Sequence, residues 1–251
     1  MVFESDDESL ESTEESELRG DYREGELDSA SQTPSPPGPG ASTLSEPSIE
    51  KSLKRGWEIF KNNIGFLISL QLIWLAFIIG LEVVEYFAFA GAPLFVMTIW
   101  LIFYNVANIF ITAGIWKIGF KLLDDQAVGY ADLFSQGDIL LSLVIGYILY
   151  FLGIFIGSLL LILPGIYFFL RFFFFDYLII DNKAGVFESF KKSWRATAGI
   201  KTTFFLLLML VVVAFINLVG LLALGVGLLV TGPVTGLALL EYYRGHKYRT
   251  S

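Results

Sequence analysis

Within the run GIYFFLRFFFFDYLII, residues 165–180, stand two side chains of opposite charge, Arg171 and Asp176. On insertion into hydrocarbon the eleven Leu, Ile and Phe residues of this run gain roughly 3 to 7 kcal/mol, while a central Arg and a central Asp cost about 2.5 to 3.5 kcal/mol each. The sums nearly cancel, so the segment needs partners for its charges. The two residues are five positions apart, about 140° around an ideal helix, so each needs a partner of its own. Glu82, Glu85 or Asn217 can meet Arg171 toward one end of the run, and Lys61 or Lys201 can meet Asp176 toward the other. Gln71, Asn105 and Asn108 lie in other apolar segments and can bond across a helix pair. Together Arg171, Asp176, Glu82, Glu85, Asn105, Asn108 and Asn217 form a candidate intramembrane polar site. Two uses stay open for it: pairing between helices, or a polar path for a solute.

Other chemistry is excluded by composition. The 251 residues contain no cysteine and one histidine, which removes disulfides, thiolate metal sites, thiol nucleophiles and any two-histidine metal site. His246 lies in a basic C-terminal stretch and reads as solvated. Neither the dinucleotide nor the phosphate-loop glycine pattern occurs, so no cofactor and no nucleic acid is expected. The N-terminus has no signal-peptide pattern, and Val2 stands where myristoylation needs glycine.

The elements that would hold these residues follow from two populations of sequence. Of the 25 acidic residues, 14 fall in the first 50 positions beside 2 of the 17 basic ones, whereas the remaining chain has a net charge of +4. Residues 1–47 read as a disordered acidic tail whose TPSPPGPG stretch favours extended polyproline II. Ser5, Ser9, Ser12 and Ser16 lie among its acids, so it reads either as a solubilising tail or as a docking and phosphorylation tail for a soluble partner. Residues 48–251 read as an all-α polytopic membrane domain with six transmembrane helices, 63–86, 93–116, 139–161, 165–180, 202–221 and 225–243. Breakers at Gly91, Pro93, Pro164, Gly165, Gly220, Gly225 and Gly227 pair them into three hairpins. Gly153-x-x-x-Gly157 and Gly232-x-x-x-Gly236 offer close-packing faces, usable within the bundle or in a homo-oligomer. Pro233 predicts a kink, with Thr231 and Thr235 covering the freed carbonyl.

Fourteen of the fifteen basic residues after position 50 fall on one side of this topology, and the turns 87–92, 162–164 and 222–224 contain none. Basic residues bias a flank to the cytoplasm, which predicts a cell-membrane protein with both termini cytoplasmic. SLKRGWEIF at 52–60 recurs 137 residues later as SFKKSWRAT at 189–197, with Ser, Lys and Trp in register, and YADLFSQGD at 130–138 reads as a weaker third copy. In the first copy Ile49, Leu53, Trp57 and Phe60 form an apolar stripe beside basic residues, which predicts an interfacial amphipathic helix lying flat on lipid. Lys54, Arg55, Trp57, Lys191, Lys192 and Trp194 are the candidate contacts to membrane lipids, anionic ones in particular.

LPGIYFFLR at 163–171 followed by LIIDNKAGVFESFKKSWRATAGI at 178–200 resembles the membrane domain attached to some glycerophosphoryl diester phosphodiesterases and its stand-alone multi-pass relatives. Pro164, Gly165, Arg171, Asp181, Gly185, Ser189 and Trp194 occupy the positions of that pattern, and the likeness extends over about residues 48–243. The resemblance implies an all-helical membrane module. It carries no phosphodiesterase activity, because no such domain is fused here and the acidic tail lies outside the pattern.

The leading functional expectation is a non-enzymatic protein that organises membrane lipids or partner proteins. The alternative is a permease or flippase-like transporter using Arg171 and Asp176. A continuous wet cavity would favour the transporter, and a packed interior would count against it. An intramembrane enzyme ranks third, because Asp176 has no second acid at its depth.

Overall fold

The computed structural model describes residues 48–89, 91–223 and 225–247. The acidic tail of residues 1–47 lies outside the described residues, as does Arg249. The described residues are helical, without a strand: α1 Ile49–Asn62, α2 Ile64–Val84 with a π turn Glu85–Phe89, α3 Leu94–Leu123, two 3-10 turns Tyr130–Phe134 and Gly137–Ile139, α4 Leu140–Leu160, α5 Ile162–Arg171, α6 Phe175–Asn182, α7 Val186–Ala196, α8 Ile200–Leu222 and α9 Leu228–Lys247.

Five stretches are long and apolar enough to cross a membrane: Ile64–Phe89, Leu94–Leu123, Tyr130–Leu159, Ile162–Asn182 and Ile200–Leu222. In four of them only 6 to 17% of the most apolar window is buried within the chain, so these helices present hydrocarbon outward. A helix apolar on every face and covered on few of them needs an apolar solvent. The segment expected as a sixth crossing is helical, as α9, but it is not among these five stretches and is less apolar than they are. Its placement explains this. Leu237, Ala238, Leu240, Tyr242 and Tyr243 are buried, and α9 packs against α1, α2, α3 and α8, so it is covered by the rest of the chain.

Three successive units are arranged in cyclic order. The first is α1 to α3, the second runs from the 3-10 turns to α6, and the third is α7 to α9. Each unit's leading surface segment packs on the last helix of the unit before it: the 3-10 turns on α3, α7 on α6, and α1, closing the cycle, on α9. These contacts are close enough to demand small residues. A Cβ added at Gly56 of α1 would sit 2.6 Å from the Val234 carbonyl oxygen, and one at Gly114 of α3 would sit 2.1 Å from that of Leu133. Where the three closing helices meet, Phe120 of α3, Tyr177 of α6 and Tyr243 of α9 contact one another edge to face, with centroids 6.3, 5.8 and 5.7 Å apart. All three are buried, so an aromatic trio joins the three helices near the end that carries Asp124 and Arg244.

Several expectations change. The fourth apolar run is not one helix: it breaks at Phe172–Phe174 into α5 and α6, so the 140° argument about Arg171 and Asp176 does not apply. The turn expected at 162–164 falls at the extended residue Leu161, and Pro164 lies in the first turn of α5, where its missing N–H costs nothing. Both Gly-x-x-x-Gly pairs serve packing inside the chain: Gly153 and Gly157 face Phe168 and Gly165 of α5, while Gly232 and Gly236 face Gln71 and Trp116. At the α9 proline the Thr235 hydroxyl donates to the Thr231 and Gly232 carbonyls, and the Thr231 hydroxyl has no partner among the described residues. His246 is not solvated; it is buried against the rings of Tyr242 and Phe174, with Nδ1 3.0 Å from the Tyr242 carbonyl.

Candidate functional site

The amphipathic helices α1 and α7 turn a face rich in small and hydroxylated residues to the protein and leave their tryptophans outward. Ser52, Gly56, Ile59 and Phe60 of α1 are buried, and at the same register Ser189, Ser193, Ala196 and Thr197 are buried in and just after α7. Ile49 and Leu53 are half-buried, while Trp57 and Trp194 keep 45% and 39% of their surface exposed. With hydrocarbon outside, small and hydroxylated residues gain more from close helix contact than large apolar ones do. Of the α1 stripe, Trp57 is outward, Ile49 and Leu53 are half-buried and Phe60 is buried. Lys54, Lys191 and Lys192 stay exposed beside the tryptophans, and Lys192 pairs with Glu188 at 2.6 Å. Arg55 is half-buried and reaches Asp125 at 3.3 Å.

The α7 face closes the break between α5 and α6. The Ser193 hydroxyl accepts from the Phe174 N–H at 3.2 Å and donates to the Arg171 carbonyl at 3.0 Å, and the Thr197 hydroxyl donates to that same carbonyl at 3.0 Å. Backbone groups freed by an interrupted helix must find partners when water is absent, and α7 supplies them. No glycine or proline marks the break in the sequence.

Arg171 therefore lies at the seam of α5 and α7. Its Nη1 donates to the Thr197 carbonyl at 2.6 Å, and the guanidinium carbon is 3.9 Å from the centre of the Trp194 ring and 5.4 Å from that of Tyr167. The side chain is 6% exposed and its Nε has no partner. Among the described residues no carboxylate pairs with it. The expected partners are elsewhere. Glu82 accepts from the Tyr104 hydroxyl at 3.2 Å, and Glu85 accepts from the Trp100 indole at 3.1 Å, both in exposed positions. Asn217 donates to the Thr235 hydroxyl and to the Val213 carbonyl, tying α8 to α9.

Asp176 is also buried, but Lys61 and Lys201 do not reach it. Its carboxylate accepts from the Tyr147 hydroxyl of α4 at 3.0 Å and from the Tyr177 N–H at 2.8 Å. Asn105 donates to the Leu101 carbonyl of its own helix, and Asn108 accepts from Thr112 one turn on, so neither bridges to Gln71. Gln71 instead lines a cavity of about 210 Å³ between α2, α3 and α9, with Trp74, Thr112, Trp116 and Pro233. The seven residues expected to share one polar site are thus distributed over five places.

At the end of the bundle that carries the basic residues, acids from the connections interleave with them. Arg244 of α9 meets Asp124 at 2.7 Å, Arg55 meets Asp125, Lys121 meets Asp132, and Lys183 meets Asp138. These pairs tie segments distant in sequence, although exposed pairs individually add little stability. Compared with known proteins, the chain matches no family model, no curated protein and no solved structure.

Proposed function

We propose that the chain is a non-enzymatic integral membrane protein that organises anionic lipid at the cytoplasmic face of the cell membrane. In this reading six helices cross the bilayer as three hairpins, both termini are cytoplasmic, and the acidic tail of residues 1–47 recruits a soluble partner. The observation that carries it is the outward face shared by α1 and α7, where Trp57 and Trp194 stand exposed at the same register as the exposed Lys54 and Lys191. Tryptophan favours the headgroup level, and each lysine near the surface contributes about 1 kcal/mol toward an anionic leaflet. Lys51, Lys61 and Lys201 are also exposed at this end and have no ion-pair partner among the described residues. The resemblance to the membrane domain of glycerophosphoryl diester phosphodiesterases agrees with a module that works beside lipid headgroups.

The transporter alternative draws on the cavity lined by Gln71. Against it stands the absence of Arg171 and Asp176 from that cavity's lining. Reconstitution of the full chain with brominated lipids tests the lipid reading. Brominated phosphatidylglycerol should quench tryptophan fluorescence more than brominated phosphatidylcholine, and the combined K54Q and K191Q variant should reduce the difference. Equal quenching by both lipids in the unmodified chain overturns the reading.

A further inference from the structure

We propose that Arg171 anchors a site for one anionic phosphodiester lipid headgroup at the seam of α5, α7 and the start of α8. The proposal rests on the membrane reading above and adds to it a single specific site distinct from the general basic surface.

An arginine stays protonated in proteins, and a buried cation needs compensation for its lost hydration. Around Arg171 the chain supplies one carbonyl and the face of an indole, and no carboxylate among the described residues. The guanidinium has five N–H donors in a planar fork, yet one donates within the chain and the buried Nε has no partner. That fork matches two oxygens of a phosphate. The surroundings fit a lipid as the source of the phosphate. Tyr167 and Trp194 flank the guanidinium while 45% and 39% exposed, and Ile166, Ile200 and Phe204 beside them are exposed and apolar, as contacts to acyl chains require. The Thr203 hydroxyl donates to the same Thr197 carbonyl as Arg171 does, which places a second polar group at the seam.

The repeat provides an internal control. Trp57 occupies the register of Trp194, but it stacks on Phe60 at 5.8 Å and has no arginine against its ring among the described residues. The first copy therefore has the interfacial face without the buried cation.

The test is native mass spectrometry of the full chain in neutral detergent, titrated separately with dioleoyl phosphatidylglycerol, dioleoyl phosphatidylcholine and inorganic phosphate. One phosphatidylglycerol should bind more tightly than phosphatidylcholine. Arg171→Gln should weaken it about tenfold or more, Arg171→Lys should weaken it less, and Thr98→Ala, at an exposed position near the end without basic residues, should leave it unchanged. No preference for phosphatidylglycerol in the unmodified chain overturns the proposal, as does a folded Arg171→Gln variant with undiminished binding. If the glutamine variant does not fold, Arg171→Lys decides: binding equal to the unmodified chain overturns recognition by the fork. Displacement of the lipid by millimolar inorganic phosphate overturns the lipid assignment and identifies a free anion as the ligand. The stoichiometric adduct is read independently of tryptophan quenching, so failure of this site and failure of the general lipid reading are told apart.

Discussion

The Ser193 hydroxyl stands between α5 and α6 and donates to the Arg171 carbonyl at 3.0 Å while accepting from the Phe174 N–H. Ser193→Ala leaves that N–H buried without an acceptor, which should destabilise the fold by about 1 to 2 kcal/mol. Ser189, one turn earlier on the same buried face, has no partner for its hydroxyl among the described residues. Ser189→Ala should therefore be neutral or slightly stabilising. Thermal unfolding of the two variants in the same detergent separates them, and an equal loss for both would contradict the role given to Ser193.

Close approach at the cyclic contacts makes a second prediction. At Gly114 an added methyl meets the Leu133 backbone rather than a movable side chain, so Gly114→Ala should cost about 1 to 3 kcal/mol and loosen the 3-10 turn from α3. Nothing lies within 4 Å of a Cβ built at Gly65 in α2, where alanine is the better helix former. Gly65→Ala should raise the unfolding temperature while Gly114→Ala lowers it.

Asp176 is held by neutral groups rather than by a cation, and that sets the order of its variants. Asp176→Asn keeps an oxygen that can accept from Tyr147, whereas Asp176→Leu leaves both the Tyr147 hydroxyl and the Tyr177 N–H without an acceptor. The leucine variant should lose more stability than the asparagine variant, by about 1 to 3 kcal/mol. Tyr147→Phe should fall between them. If a lysine were the true partner, asparagine would be nearly as damaging as leucine, and unfolding midpoints distinguish the two cases.

The apolar runs were legible because hydrocarbon length acts locally, whereas the breakers were legible only in part, since Pro164 and Gly165 lie inside α5 and the break at Phe172–Phe174 carries neither glycine nor proline. The Ser and Trp repeat was legible too, whereas the face that it turns to the protein was not assigned. Ser52 and Ser189 recur in register, and that recurrence was the available signal for the buried face. The partners of Arg171 were not readable. One is the backbone carbonyl of Thr197, which no side-chain pattern announces, and the other follows from a helix break among phenylalanines. Asp176 was matched to lysines by charge alone, and the structure satisfies it with a tyrosine hydroxyl from α4, which charge counting does not see.

The absence of cysteine makes the topology directly testable, since each introduced thiol is the only one in the chain. Phe87 in the π turn is 79% exposed and lies at the end without basic residues. Ala198 is exposed just after α7, beside the basic face. With both termini cytoplasmic, Phe87→Cys should react with a membrane-impermeant maleimide in intact cells, and Ala198→Cys should react only after permeabilisation. Glu188→Cys, on the exposed side of α7, should follow Ala198→Cys. Because both interior positions belong to the segment that seals the α5 to α6 break, labelling of either one in intact cells would place the Trp194 face outside. It would then remove the anionic inner leaflet from the account of Lys191 and Arg171.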